Sequence, residues 1–198
     1  MARIVGVLLA AGQGARFGGD KLLATIAVPS AGGAADVPIG VAAARNLVEA
    51  IPESIAVVRP RDAALAAHFT AAGLRVVPCA NAGEGMSATL ACGVAATADA
   101  AGWIIALGDM PWIAPATIRV IADAVASGAD IAAPSYRGQR GHPIGFSRRH
   151  SDALLSLTGD AGARSVIARN IDRVTWVDVD DAGVVQDVDT RSDLPRPQ

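Results

Sequence analysis

Short apolar runs alternate with longer alanine-rich stretches along the chain. Ile4–Leu9, Ser54–Val58, Leu74–Val77, Trp103–Leu107, Asp130–Ala133, Val174–Val177 and Val184–Val188 read as strands, and Ile144-Gly145-Phe146 is strand-like. Several runs are continuously apolar, the pattern of strands covered on both faces. Between them, Val41–Ala50, Asp62–Ala72, Ser87–Ala96, Pro115–Ser127, Arg149–Ser156 and Ala163–Ala168 read as helices. The alternation predicts a mostly parallel, Rossmann-like sheet between helical layers, a three-layer α/β/α sandwich. Ala27–Asp36 breaks the pattern. It is small and poor in anchoring side chains, and it predicts a mobile loop, either a lid or an inert surface insertion. Pro195–Gln198 predicts a frayed end.

Length and composition narrow the class. The chain has 198 residues, 52% hydrophobic and 18% charged, as expected of one folded domain with a real core. A net charge of −2 leaves no electrostatic footprint for a nucleic-acid polymer, so the cations that matter act locally. Cys79 and Cys92 have no zinc-site spacing and set up no disulfide framework; they read as buried or semi-buried small residues. The first apolar run is short and broken by Gly12 and Gly14, unlike a signal peptide or a membrane span. The expected setting is cytoplasmic, with no membrane partner.

The richest stretch is Leu8–Lys21, Leu-Leu-Ala-Ala-Gly-Gln-Gly-Ala-Arg-Phe-Gly-Gly-Asp-Lys. A buried strand feeds a glycine-rich turn that carries Arg16 and Lys21. Backbone N–H groups freed in such a turn can surround an anion. Two familiar phosphate loops fail the spacing test. Gly14 and Gly19 have the Walker A separation, but Asp20-Lys21-Leu22 follows and offers magnesium no hydroxyl. Gly12 and Gly14 open a dinucleotide pattern, but Phe17 stands where its third glycine belongs. The residues alone leave two readings, a triphosphate site or a solvated turn with two cations.

Leu9, Ala10, Ala11, Gly12, Gly14, Arg16, Gly18 and Lys21 together resemble the signature of the MobA-like nucleotidyltransferases, with Phe17 in place of a usual methionine. Ala10-Ala11 is similar to the molybdenum cofactor cytidylyltransferase branch; the guanylyl branch typically has a glycine pair there. The resemblance runs through five ordered elements from Leu9 to Asp193. It implies a nucleotide-diphospho-sugar transferase-like fold for residues 1–198, with Arg16, Lys21 and Asp109 as catalytic residues.

Later elements suit that chemistry. Asp109 follows the apolar strand Trp103–Leu107 at its carboxyl edge, where α/β sheets bind ligands. It reads either as a magnesium ligand or as a cap for the helix beginning at Pro115. Asp187 and Asp189 flank Val188 on the predicted last strand and so share a face. Side by side, they either share a cation or form a solvated acidic edge. The resemblance implies that Asp109, Asp189 and Asp187 hold Mg2+. It also implies that Asn81, Gly85, Met86 and Ser87 join the first motif in binding the nucleotide. Arg140, His142, Asp160 and Arg164, in the Gly-His-Pro and Gly-Asp-x-Gly-Ala-Arg elements, would hold a pterin acceptor and its phosphate.

The implied reaction is attack by the phosphate of molybdopterin on the α-phosphorus of CTP, with loss of pyrophosphate. A molybdoenzyme or its chaperone would then be a partner. Three alternatives stay open: guanylyl transfer from GTP, a sugar- or alcohol-phosphate nucleotidyltransferase, and a non-catalytic protein that delivers cofactor.

Overall fold

The computed structural model describes residues 2–12, 14, 16–30 and 33–194. The chain opens with β1 (Ile4–Leu9), passes the glycine turn, and forms β2 (Thr25–Ser30) and β3 (Gly33–Pro38). It continues through α1 (Ile39–Ala50), β4 (Ser54–Val58), α2 (Ala63–Ala71), β5 (Arg75–Pro78), α3 (Met86–Ala95), β6 (Gly102–Leu107) and α4 (Pro115–Ala126). The remaining elements are β7 (Ile131–Tyr136), β8 (Gln139–Arg140), β9 (Ile144–Ser147), α5 (Ser151–Leu155), α6 (Arg164–Arg169) and β10 (Val174–Asp178). None of these helices is long and apolar enough to cross a membrane.

The main sheet has the order β10-β7-β9-β6-β1-β4-β5, with β8 added to β7. β1 lies parallel to β4 and β6, β4 to β5, and β7 to β10; β9 is antiparallel to both β6 and β7. The two reversals cancel. β7 and β10 therefore end at the same edge as β1, β4, β5 and β6. β9 begins at that edge, which brings Arg140–Pro143 to it from the opposite direction.

Strand alternation builds the three layers. Val5, Val7 and Leu9 of β1 join a core with Leu90 and Val94 of α3, Leu154 of α5 and Val166 of α6. Leu8 and Ala10 join the opposite core, with Leu47 of α1, Leu65 and Phe69 of α2, and Ile118, Ile121 and Val125 of α4. A β1 strand buried on both faces has to be apolar at every step, as the sequence is. Trp103 of β6 is fully buried, and its indole N–H donates to Thr97 Oγ1 at 2.9 Å, so the core keeps no orphaned donor there.

Two expectations are corrected. Ala27–Asp36 is not an open loop. Its described part belongs to the β2–β3 hairpin, which pairs Ile26 with Val37 and Val28 with Ala35; residues 31–32 lie outside the described residues. Ile26 and Val37 are buried with Phe17, Ile39 and Val188, so a small apolar face anchors the hairpin. Val184–Val188 is not a strand. Asp181 bends it into a 3-10 turn over Ala182–Val185 by accepting the Gly183 N–H at 3.0 Å. The expectation for Pro195–Gln198 lies outside the described residues.

Candidate active site

The carboxyl ends of β1, β4, β5 and β6 open onto a cavity of about 760 Å³. Leu9, Ala10, Ala11, Gly12, Gly14, Arg16 and Lys21 all line it. The turn that carries them is tightly wound. The Phe17 N–H donates to the Gly14 carbonyl at 2.9 Å, and the Lys21 N–H to the Gly19 carbonyl at 2.8 Å. Gly14 sits at φ +58°, where a side chain is strained. Phe17 turns away from the cavity into the hairpin core, and the Arg191 guanidinium lies 5.1 Å from its ring centre. The turn is thus pinned from behind while its cations face forward.

Asp109 follows β6 at the same edge. Lys21 Nζ donates to Asp109 Oδ2 at 2.8 Å and lies 3.8 Å from Asp189 Oδ1. Arg16 also pairs with Asp189. The backbone reinforces the cluster: the Val188 N–H donates to the Asp109 carbonyl at 2.9 Å. Two carboxylates from distant parts of the chain therefore converge on one ammonium. Asp109 is not the cap of α4. Ala114 stands there, its N–H donating to Asp181 Oδ2 at 2.9 Å, and Thr117 Oγ1 donates to the same oxygen at 2.7 Å.

Asp187 does not share a face with Asp189. With the 3-10 turn ahead of it, its side chain lines a second cavity, of about 560 Å³. Arg140, His142 and Arg164 line that same cavity, and Leu107 lines both. Asp160 sits elsewhere. It lines the first cavity with Gly85 and Met86. A Cβ on Gly85, at φ +112°, would fall 2.2 Å from Asp160 Oδ1, so glycine is required for this approach.

Asn81 and Ser87 line neither cavity. Asn81 Oδ1 accepts from the Cys79 thiol at 3.2 Å. Ser87 is fully buried, with its N–H on the Gly159 carbonyl and its Oγ accepting from the Gly162 N–H. Its hydroxyl fastens the Gly159–Gly162 loop to the start of α3.

Sequence reasoning passed over Arg59, Arg61 and Asp62 after β4, which line the first cavity. Arg59 Nε donates to Asp62 Oδ2 at 2.8 Å. The signal was available: three charges within four residues follow the apolar run Ile55–Val58 at the ligand-binding edge.

His142 stands in the wall of the second cavity with Nδ1 shut away from solvent and unpartnered. Burial, against the pull of Asp109 and with the push of Arg164, brings its pKa down to about 4. His150 is lowered mainly by burial too. Both rings are neutral in the fold at neutral pH, while the unfolded chain takes up protons below about 6.5. Between pH 6.5 and 4 the unfolded state binds more protons, so stability falls as pH falls through that window. The His142 share is on the order of 3 kcal/mol. Urea midpoints measured in EDTA are expected to be lower at pH 5 than at pH 7; equal midpoints would contradict this.

Comparison with known proteins meets this geometry. The sequence matches the family model of the MobA-like NTP transferase domain over residues 6–174. The chain belongs to that family. It is similar to Rv0371c from Mycobacterium tuberculosis H37Rv, at 30% identity over 97% of this chain and 95% of that one, with a TM-score of 0.78. The same mycobacterial protein has been solved in complex with manganese, at 28% identity over the same shares and a TM-score of 0.77. A nucleotidyl transferase from Methanothermobacter thermautotroptrophicus shares the fold at 24% identity over 96% and 94%, with a TM-score of 0.79. So does molybdopterin-guanine dinucleotide biosynthesis protein A from Archaeoglobus fulgidus, at 15% identity over 96% and 94%, with a TM-score of 0.63. No curated protein matches the sequence. As a member of the MobA-like family, the protein is a nucleotidyltransferase, with the mostly parallel sheet and flanking helices of these neighbours.

Proposed function

We propose that this nucleotidyltransferase moves CMP from CTP to the phosphate of molybdopterin and releases pyrophosphate, for use by a cytoplasmic molybdoenzyme. The observation that carries the reading is the pair of cavities that meet at Leu107. One holds Arg16, Lys21, Asp109 and Asp189; the other holds Arg140 and Arg164. A triphosphate in the first and a phosphate-bearing acceptor in the second would face each other beside Asp109.

The acceptor phosphate is already ionised at neutral pH, so its attack needs no strong base. Alignment and charge stabilisation carry the reaction. Lys21 and Arg16 take the phosphate oxygens. Arg140 and Arg164 draw in the acceptor.

Asp109 and Asp189 fit a divalent cation: their two hard carboxylates converge on Lys21 Nζ, and among the described residues no group of three or more His, Cys, Asp or Glu side chains is placed to hold a metal. That donor set suits magnesium, which commonly keeps one or two carboxylates and takes the rest from substrate phosphates and water. The manganese complex of the mycobacterial relative supports a metal in this family. When bound, the ion would neutralise charge on the triphosphate.

Ala10 and Ala11 support the choice of base: both line the cavity, and the alanine pair resembles that of the cytidylyl branch. Calorimetric titration with CTP, GTP, ATP and UTP in magnesium is expected to rank CTP first by at least tenfold. Equal weak binding of all four, or a preference for GTP, would overturn the cytidylyl assignment. Pyrophosphate release from CTP and loaded molybdopterin tests the transfer itself; a delivery protein would give none.

A further inference from the structure

The acceptor cavity contains a feature that the transfer reaction does not itself require. On β10, Trp176 lines the cavity, and the Arg140 guanidinium lies 4.6 Å from its ring centre. Trp176 pairs across the sheet with Ala133, which also lines the cavity and presents only a methyl group there. Ile167 and Ile171 continue the apolar wall. The result is a flat aromatic surface with a planar cation against it, an apolar flank, and Arg164 within the same cavity. Phosphate recognition needs only the cations. A sugar phosphate would prefer hydroxyl partners to an indole face. A fused heteroaromatic ring gains from stacking against a guanidinium plane that an indole backs.

The geometry points to Trp176, stacked with Arg140, as the platform that selects a flat fused-ring acceptor over sugar or alcohol phosphates. This rests on the reading that the second cavity takes the acceptor, and it names the residue that sets acceptor class. Trp176 positions the acceptor; it does not touch the reacting atoms.

Neopterin monophosphate and ribose 5-phosphate serve as probes, one aromatic and one not. Wild-type protein is expected to bind the first at least tenfold more tightly, with quenching of tryptophan emission. Trp176→Leu is expected to weaken neopterin monophosphate at least tenfold, leave ribose 5-phosphate unchanged, and leave CTP affinity unchanged. Retained CTP affinity shows that the variant is folded. Trp176→Phe is expected to keep most of the affinity and lose most of the quenching. Unchanged pterin binding by Trp176→Leu, or no preference of the wild type for the pterin, would overturn the platform. If the probes behave as expected but CTP and loaded molybdopterin yield no pyrophosphate, the transfer reading fails and the platform stands.

Discussion

Lys21→Ala lowers the rate of pyrophosphate release from CTP by a hundredfold or more. Among the described residues, Lys21 is the one cation that reaches both Asp109 and Asp189, and its side chain is only 12% exposed. Removing one well-placed charge donor typically costs about 2.7–4 kcal/mol of barrier, a factor of a hundred to a thousand. The same change acts on the protein without substrate. It leaves two converging carboxylates with Arg16 on Asp189 and no ammonium on Asp109, an arrangement that a like charge destabilises. The variant should therefore melt at a lower temperature in EDTA and recover more than wild type on adding magnesium. Steady-state rates and melting curves with and without the metal check both parts. Near-normal turnover would remove Lys21 from the chemistry.

Asp109→Asn is expected to lose on the order of a hundred- to a thousandfold in rate while keeping the fold. The reason lies in how the residue is used. Its side chain faces Lys21 in the cavity, whereas its backbone carbonyl accepts from Val188 and ties the last segment to β6. Asparagine keeps the carbonyl and can still accept from Lys21, but it removes the charge that suits a divalent ion. Manganese titration followed by electron paramagnetic resonance should show weakened binding. Wild-type metal affinity in this variant would exclude Asp109 as a ligand.

Much of this arrangement was legible in the residues. β1 and β4 stand at the predicted bounds because strands buried along almost their whole length leave an apolar run, with Ser54 at the start of β4 its one polar residue. Leu9 to Lys21 named one wall of the cavity because glycine and cation spacing constrains a turn strongly. Other parts were hidden for identifiable reasons. The hairpin's apolar signal is carried by Ile26, Val28 and Val37 among Ala, Pro and Ser, too sparse to stand out from a loop. Val184–Val188 has strand-like composition, but Asp181 overrides it through bonds to Gly183, Ala114 and Thr117, two of them far away in sequence. Only the family resemblance points Ser87 at the nucleotide, and nothing local reveals that Gly162 claims its hydroxyl. Asp160 and Arg164 belong to one short motif yet line different cavities, a division that only the packing of their loop over Gly85 decides.

The bond between Val188 and Asp109 has a consequence for synthesis. The turn that carries Arg16 and Lys21 precedes Asp189, which engages both of its cations, by about 170 residues. During translation the early turn emerges long before that carboxylate exists. A growing chain can therefore complete β1 through β6 and still lack half of its acidic pair. If Asp189 acts as proposed, competence arrives only when the closing segment docks on β6 through the Val188–Asp109 bond.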